Sequence, residues 1–416
     1  MSYKSNVRYV LKNTNSKGIG CVNLEIVFIH KENKKKIRRY VNTGQYVGKN
    51  DFDTNGIKSY RHSLKSAKLL VEKKKIEIEE LLRNLELNNG EITPDIYDTA
   101  QRINEDAKKD IFQLFDKFIE YKTKKVESRT IQKYNTLKVV LEEFIPQKKH
   151  KSTYTTDITE DFLENLTNYL SDKKDLSINT IAKYQSVLNT FMDYLTDTLK
   201  VNKNLAYKEY QKISRKKESE SKVVLLKEHV QKIIDWIPED KTLETVKDLF
   251  LFQIVTGVRI SDLFRISKYF VKNQLLSFQM YKTTTTVNIP LHPMAKEILI
   301  KYNYKLGAIC KEIGENQYNT YIKDVCKQAG LTEEVSKLRI TLNKKIPVET
   351  PLYKLVSSHV GRTTFVTNCL ISGISPFIVM GYTGHRKIET LHYYMKIAGD
   401  VSQDAFIKYK EYFTFK

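Results

Sequence analysis

The chain has 416 residues, too many for one core of ordinary size, so two or three domains are expected. Its 70 Lys and Arg against 49 Asp and Glu leave a formal net charge of +21, which points to a polyanionic partner and to nucleic acid first. Cys21, Cys310, Cys326 and Cys369 are scattered without a CxxC pair, which excludes a zinc knuckle and a disulfide framework. No apolar run approaches the ~20 residues of a bilayer span, and MSYKSNVRYVLK lacks the hydrophobic core of a signal peptide. The expectation is a soluble, cytoplasmic, nucleoid-associated protein with no membrane partner.

Residues 1–60 read as three strands, VRYVLKN, CVNLEIVFIH and KIRRYVNTGQYVG, separated by polar breaks, with Val22, Leu24, Ile26 and Phe28 alternating along the second. This segment holds twelve Lys and Arg against four Asp and Glu. A basic sheet bearing Arg38, Tyr40 and Tyr46 can enter a major groove. From Ser63 to about Leu87, Leu64, Ala67, Leu70, Ile78, Leu81, Leu82 and Leu85 fall near helical spacing, and Gly90 then ends the helix. ITPDIYD reads as a linker.

Residues 105 to about 205 predict four helices. Phe112, Phe115, Phe118 and Ile119 form the stripe of the first; Ser128 is an N-cap for the second, with Ile131, Tyr134, Leu137, Leu141 and Phe144 on one face. The third lies near TEDFLENLTNYLSDK, and the fourth aligns Ile181, Tyr184, Val187 or Leu188, Phe191 and Leu195. Lys124, Lys125, Arg129, Lys133, Lys138 and Lys183 on the exposed faces suit phosphates. QKISRKKESESK, 211–222, reads as a flexible tether that lets two DNA-binding domains close around a duplex. From Val223 the pattern is mainly helical with one β-hairpin, QLLSFQMYKTTTTVNIPL. The fold class expected is therefore mainly α with small β elements (α+β), in three domains: 1–90, sheet plus helix; 105–210, helical bundle; 223–416, the domain carrying the chemistry.

That chemistry rests on an ordered set: TGVRISDL at 256–263, MYKTTTT at 280–286, HVGR at 359–362, GH at 384–385, and Tyr394 nine residues beyond His385. Each piece is weak alone in a chain with 26 tyrosines; the order is what carries weight. The set resembles the tyrosine recombinase (phage integrase) family over roughly 105–410, and the N-terminal sheet plus helix resembles the arm-type DNA-binding domain of integrases from phages and conjugative transposons, especially the Bacteroidetes type. The resemblance implies a site-specific recombinase that integrates or excises a mobile element through a 3′-phosphotyrosyl intermediate, with a helical core-type (SAM-like) domain. Its site residues fall on Arg259, Lys282, His359, Arg362, His385 and Tyr394. It also implies a homotetramer on double-stranded DNA at core and arm sites, host DNA-bending or excision factors, no metal, no cofactor, and a C-terminal tail, 403–416, docked on a neighbouring protomer.

The assignments suit the physics. Two guanidinium forks, Arg259 and Arg362, match the oxygens of a phosphodiester that gains negative charge under attack. A phenol with a pKa near ~10 needs cations and a base nearby, for which His359 is the candidate. His385 can donate to a phosphate oxygen, and Lys282 can protonate the departing 5′ oxygen. Tyr393 competes with Tyr394 and Lys272 with Lys282. Taken alone, Arg259 also reads as a structural arginine paired with Asp262. Alternatives at the level of function are a chromosome-dimer resolvase or inversion recombinase, which lacks a basic N-terminal domain; a type IB topoisomerase, which the GH-to-tyrosine spacing fits poorly; and a non-catalytic DNA-binding regulator on the same fold.

Overall fold

A computed structural model describes residues 3–58, 62–211, 213, 223–342, 344–392, 394 and 395. Tyr393, most of the expected tether and the expected docking tail lie outside these residues. The described residues gather into two compact units, divided as Met1–Lys174 with Thr180–Ile213 and Asp175–Asn179 with Ser214–Lys416. No helix among them is long and apolar enough to cross a membrane.

The first unit opens with an antiparallel sheet in the order β1 (Tyr3–Lys12), β2 (Ile19–His30), β3 (Lys36–Gly48), followed by a two-stranded pair, β4 (Phe52–Asp53) and β5 (Gly56–Ile57). The alternation in β2 does what it predicts: Val22, Leu24, Ile26 and Phe28 are fully buried and face α1 (His62–Asn89). The buried stripe of α1 runs through Val71, Ile78 and Leu82, with Leu64, Ala67, Leu81 and Leu85 partly covered. Leu70 is exposed, because the position four after Ala67 is Val71 and that is the residue one turn on.

ITPDIYD is not a linker. It starts α2 (Pro94–Ala107), where the Thr93 hydroxyl caps the Ile96 amide at 3.2 Å and Pro94 takes the first helical position. Ile92 and Tyr97 are buried in the core of the N-terminal sheet, and Arg39 of β3 grips Asp98 of α2 with bonds of 2.7–2.9 Å. Thr-Pro-Asp is a turn signal and a helix-start signal at once, and only the tertiary contacts of Tyr97 decide between them.

The helical part follows as α3 (Ile111–Thr123), α4 (Ser128–Phe144), α5 (Glu160–Asn168), α6 (Ile178–Asp193) and the short α7 (Ala206–Glu209). Asp110 caps α3 through the amides of Phe112 and Gln113, both at 3.0 Å. Ser128 is the first residue of α4, whose N-cap is Glu127, one position from the expected cap. Leu188, not Val187, is buried on α6. An aromatic cluster forms the centre: Phe118 lies 4.8 Å from Tyr134 and 5.4 Å from both Phe191 and Tyr194, ring to ring.

The second unit is built around α9 (Lys241–Thr256), preceded by α8 (Lys227–Asp235) and buried along most of its length from Val246 to Thr256. After α10 (Ile260–Leu263) come β6 (Val271–Lys272), β7 (Leu275–Gln279) and β8 (Thr286–Pro290), an antiparallel sheet in that order. Then come α11 (Pro293–Lys301), α12 (Leu306–Ile313) and α13 (Glu315–Gln328), a second hairpin of β9 (Glu334–Ile340) and β10 (Lys345–Pro351), and α14 (Leu352–Leu355), α15 (Ser358–Ile371) and α16 (Pro376–Thr383). Helices α11, α13 and α15 pack on α9. The second hairpin corrects the expectation of one: its strands are half-exposed to exposed throughout, so EVSKLRI carries no clean two-residue hydrophobic period.

Truncating the aromatic centre tests the packing of the helical part. Phe118→Ala should lower the unfolding free energy by about 3–5 kcal/mol in urea titration, and a loss below about 1 kcal/mol would contradict a close-packed centre.

Candidate active site

Five segments of the second unit converge on one point. Helix α9 stops at Gly257, whose φ of +67° turns the chain left-handed; a Cβ here would also meet Phe365 Cδ1 at 2.3 Å. Gln253 holds the turn by donating to the Val258 carbonyl at 3.1 Å. Arg259 follows as the N-cap residue of α10, half-buried, its Nη1 3.2 Å from Met280 Sδ.

Arg362 comes from α15 and is 3% exposed. Its Nη1 donates to the Gly257 carbonyl at 2.7 Å and its Nη2 to the Thr383 carbonyl, so one guanidinium bolts the turn before Arg259 to the turn before His385. Burial pushes its pKa down, the neighbouring Arg259 charge pushes the same way, and Asp262 and Tyr394 oppose them. Arg259 is depressed by its own burial, with Asp262 opposing. Two cations are thus held together at an unfavourable spot, an arrangement that a bound anion would relieve.

The loop carrying Lys282 joins β7 to β8. Met280 and Thr285 close it through a 2.9 Å backbone bond, and Lys282 is exposed at its tip. Asp262 anchors it: this fully buried carboxylate accepts the Tyr281 amide at 2.8 Å. Asp262 is therefore more than a partner for Arg259. It forms an ion pair with Arg265 at 3.5 Å, and its bond to the backbone fixes the lysine loop against α10. Arg386 latches the other side of the loop by donating to the Thr283 carbonyl at 2.8 Å. Lys272 sits at the opposite end of β7, roughly 16 Å from the loop at ~3.3 Å per residue, so the two lysines are not interchangeable in space.

Helix α16 ends in Gly384, left-handed at φ +60°, where a Cβ would fall 2.3 Å from Met280 Sδ. His385 follows, half-buried, with Nδ1 2.7 Å from Thr383 Oγ1. That hydroxyl gives its one proton to the Val379 carbonyl at 2.6 Å, so it accepts from His385, and Nδ1 carries a hydrogen. Nε2 then accepts when the ring is neutral and donates only when it is cationic. His359 stands exposed in the first turn of α15, one turn before Arg362.

Tyr394 is 5% exposed. It lies within one helical turn closed by the Met395 amide on the Leu391 carbonyl at 2.9 Å. Burial raises its pKa above the usual phenol value and the Arg362 charge opposes the rise, so phenol and guanidinium are electrostatic neighbours in the same chain. Arg259, Arg362 and His385 are joined by these bonds and Tyr394 lies within reach of the Arg362 charge, whereas Lys282 and His359 share segments with them and have exposed side chains. Asp262, Thr383 and Arg386 were not anticipated as functional. The one available signal was Asp262 inside the apolar run of TGVRISDL, a charge that folding buries.

Two substitutions test this geometry. Arg362→Lys keeps the charge but cannot reach both carbonyls and a phosphate, and should cut phosphodiester cleavage by ~10²–10³ while lowering the melting temperature; wild-type cleavage would contradict the bolt. Thr383→Val removes the acceptor that orients His385 and should slow cleavage by about tenfold to a hundredfold at unchanged DNA affinity, measured by single-turnover kinetics. An unchanged rate would mean that the ring needs no such support.

The phage integrase SAM-like domain model matches residues 110–208 and the phage integrase family model residues 223–399, together about two-thirds of the chain. No curated protein sequence matches it. Among solved structures, it is similar to the Tn1549 transposon integrase in complex with a circular intermediate DNA, at 17% identity and a TM-score of 0.51, covering 69% of this chain and 95% of that one. It is likewise similar to a lambda integrase dimer bound to a COC′ core site, at 15% identity and a TM-score of 0.51, covering 93% and 94%. At such identities these likenesses speak for the fold.

Proposed function

The chain belongs to the phage integrase family of tyrosine recombinases, and from that premise we propose that it breaks and rejoins DNA at the site built around Arg362, with Tyr394 as the nucleophile. As a member it is a site-specific recombinase. What supports the assignment is the burial of the Tyr394 phenol in the core of the unit in which Arg362 ties the turn before Arg259 to the turn before His385, with the phenol within reach of the Arg362 charge.

In the proposed step the Tyr394 oxygen attacks the scissile phosphorus as the bond from phosphorus to the 5′ oxygen breaks. Burial keeps the phenol protonated at neutral pH, so its proton must leave during attack, and His359 takes it. Lys282, from its loop, protonates the departing 5′ oxygen. Arg259 and Arg362 hold the non-bridging oxygens, and His385 as imidazolium adds a donor through Nε2. The product is a 3′-phosphotyrosyl ester and a free 5′-hydroxyl. The ester conserves the energy of the broken bond, so a second 5′-hydroxyl can reverse the step and join a different strand.

Its partner is double-stranded DNA, a reading supported by the Tn1549 integrase in complex with a circular intermediate DNA and by lambda integrase bound to a COC′ core site. Each protomer offers one Tyr394, and exchange between two duplexes cuts four strands, which calls for a tetramer. The 1–90 sheet and helix read arm sites, 105–210 grips the core site and 223–416 cuts it, integrating or excising a mobile element with host bending or excision factors on the nucleoid.

Incubation with a nicked duplex carrying the element's attachment site, in EDTA, tests the assignment. Wild-type protein and Tyr393→Phe should trap a covalent adduct, and Tyr394→Phe should trap none; an adduct from Tyr394→Phe would refute it.

A further inference from the structure

The face of the N-terminal sheet opposite α1 has an acid at its centre. Glu25 lies on the middle strand, directly between Arg8 of β1 and Tyr40 of β3 in the strand register, and its side chain is 4% exposed. Its carboxylate accepts from Arg8 Nε and from Tyr40 Oη at 2.8 Å, and it pairs with the charge of Arg38, whose Nε lies 3.3 Å away. Lys12 Nζ stands 2.9 Å from the centre of the Tyr40 ring. Burial alone pushes the carboxyl up, but Arg8, Tyr40 and Arg38 outweigh it and keep Glu25 below the usual carboxylate range, hence ionised.

A buried, charge-paired acid is a poor way to stabilise a sheet, and Val27, two residues on along the same face, shows that an apolar side chain fits there. A direct contact from Glu25 to a base is closed off by its three partners and its burial. What the carboxylate does is orient. Arg8 donates Nε to it and Arg38 pairs with it, and both guanidinium groups stay half-exposed or more, so each can still meet a ligand. Unrestrained arginines bind phosphates of any sequence, whereas fixed guanidinium forks match the paired acceptors of guanine in a major groove.

We propose that Glu25 is a positioning residue for DNA reading: it fixes Arg8, Arg38 and Tyr40 as one array and so gives the sheet sequence discrimination rather than charge alone. This rests on the arm-site reading given above. Removing its charge leaves the face more basic but less ordered, so discrimination and general affinity move in opposite directions. A purely structural role moves both the same way.

The full-length protein is offered a pool of randomised duplexes, and the enriched motifs are resynthesised alongside scrambled duplexes for affinity measurement. Wild-type protein is expected to enrich two motifs. Glu25→Gln should lower the affinity ratio of arm motif over scrambled duplex by about tenfold or more, with scrambled binding equal or tighter and the core motif unaffected. Glu25→Asp, which keeps the charge but is one methylene short, should lower the same ratio without tightening scrambled binding. Two motifs read by both variants at the wild-type ratio would overturn the role of Glu25 alone, as would a fall in melting temperature with equal losses on both duplexes. A single motif from wild-type protein would instead overturn the arm-site reading.

Discussion

One buried guanidinium holds the catalytic unit together. Arg362 joins the Gly257 carbonyl to the Thr383 carbonyl, and those two turns deliver Arg259 and His385. Both turns need glycine, at 257 and 384, because each is left-handed and each packs against a side chain, Phe365 or Met280, where a Cβ would stand. Met280 belongs in turn to the loop that carries Lys282, and Asp262 and Arg386 fasten that loop from two sides. The charges that would meet a phosphate are therefore set by backbone geometry before any DNA arrives.

This preorganisation is electrostatically uncomfortable. Arg259 and Arg362 repel one another in a partly dry site, and burial disfavours ionisation of both the guanidinium groups and the Tyr394 phenol. In the proposed step a bound phosphodiester would supply the missing negative charge, and the charge it gains under attack would relieve the cations further. Stabilisation would thus grow along the proposed reaction path, as catalysis requires. The same logic recurs on the N-terminal sheet, where Glu25 holds arginines in place at the centre of a basic face.

The sequence made the parts with strong local signals legible. The strand alternation of β2, the helical stripes of α3 to α6 and the ordered motifs in the second unit could all be read directly, because each residue type is tied to its job by period or chemistry. What stayed hidden depends on partners distant in sequence. Tyr97 turned a seeming linker into α2 by entering a core 69 residues upstream, around Phe28. Asp262 is legible as an electrostatic partner of Arg259 but its bond to the Tyr281 amide is not, and the tautomer of His385 follows only from the hydroxyl of Thr383 and its own acceptor. The β9–β10 hairpin escaped because half-exposed strands leave no hydrophobic period.

The central claim is that the phenol at 394, held beside Arg362, becomes the DNA-linked atom. Trypsin cleavage of the trapped adduct releases the peptide IETLHYYMK, residues 388–396, which contains both candidate tyrosines. Fragmentation by tandem mass spectrometry assigns the linked nucleotide to one of them. The account predicts a 3′-phosphate ester on Tyr394; a nucleotide on Tyr393, or on any peptide other than this one, would contradict it.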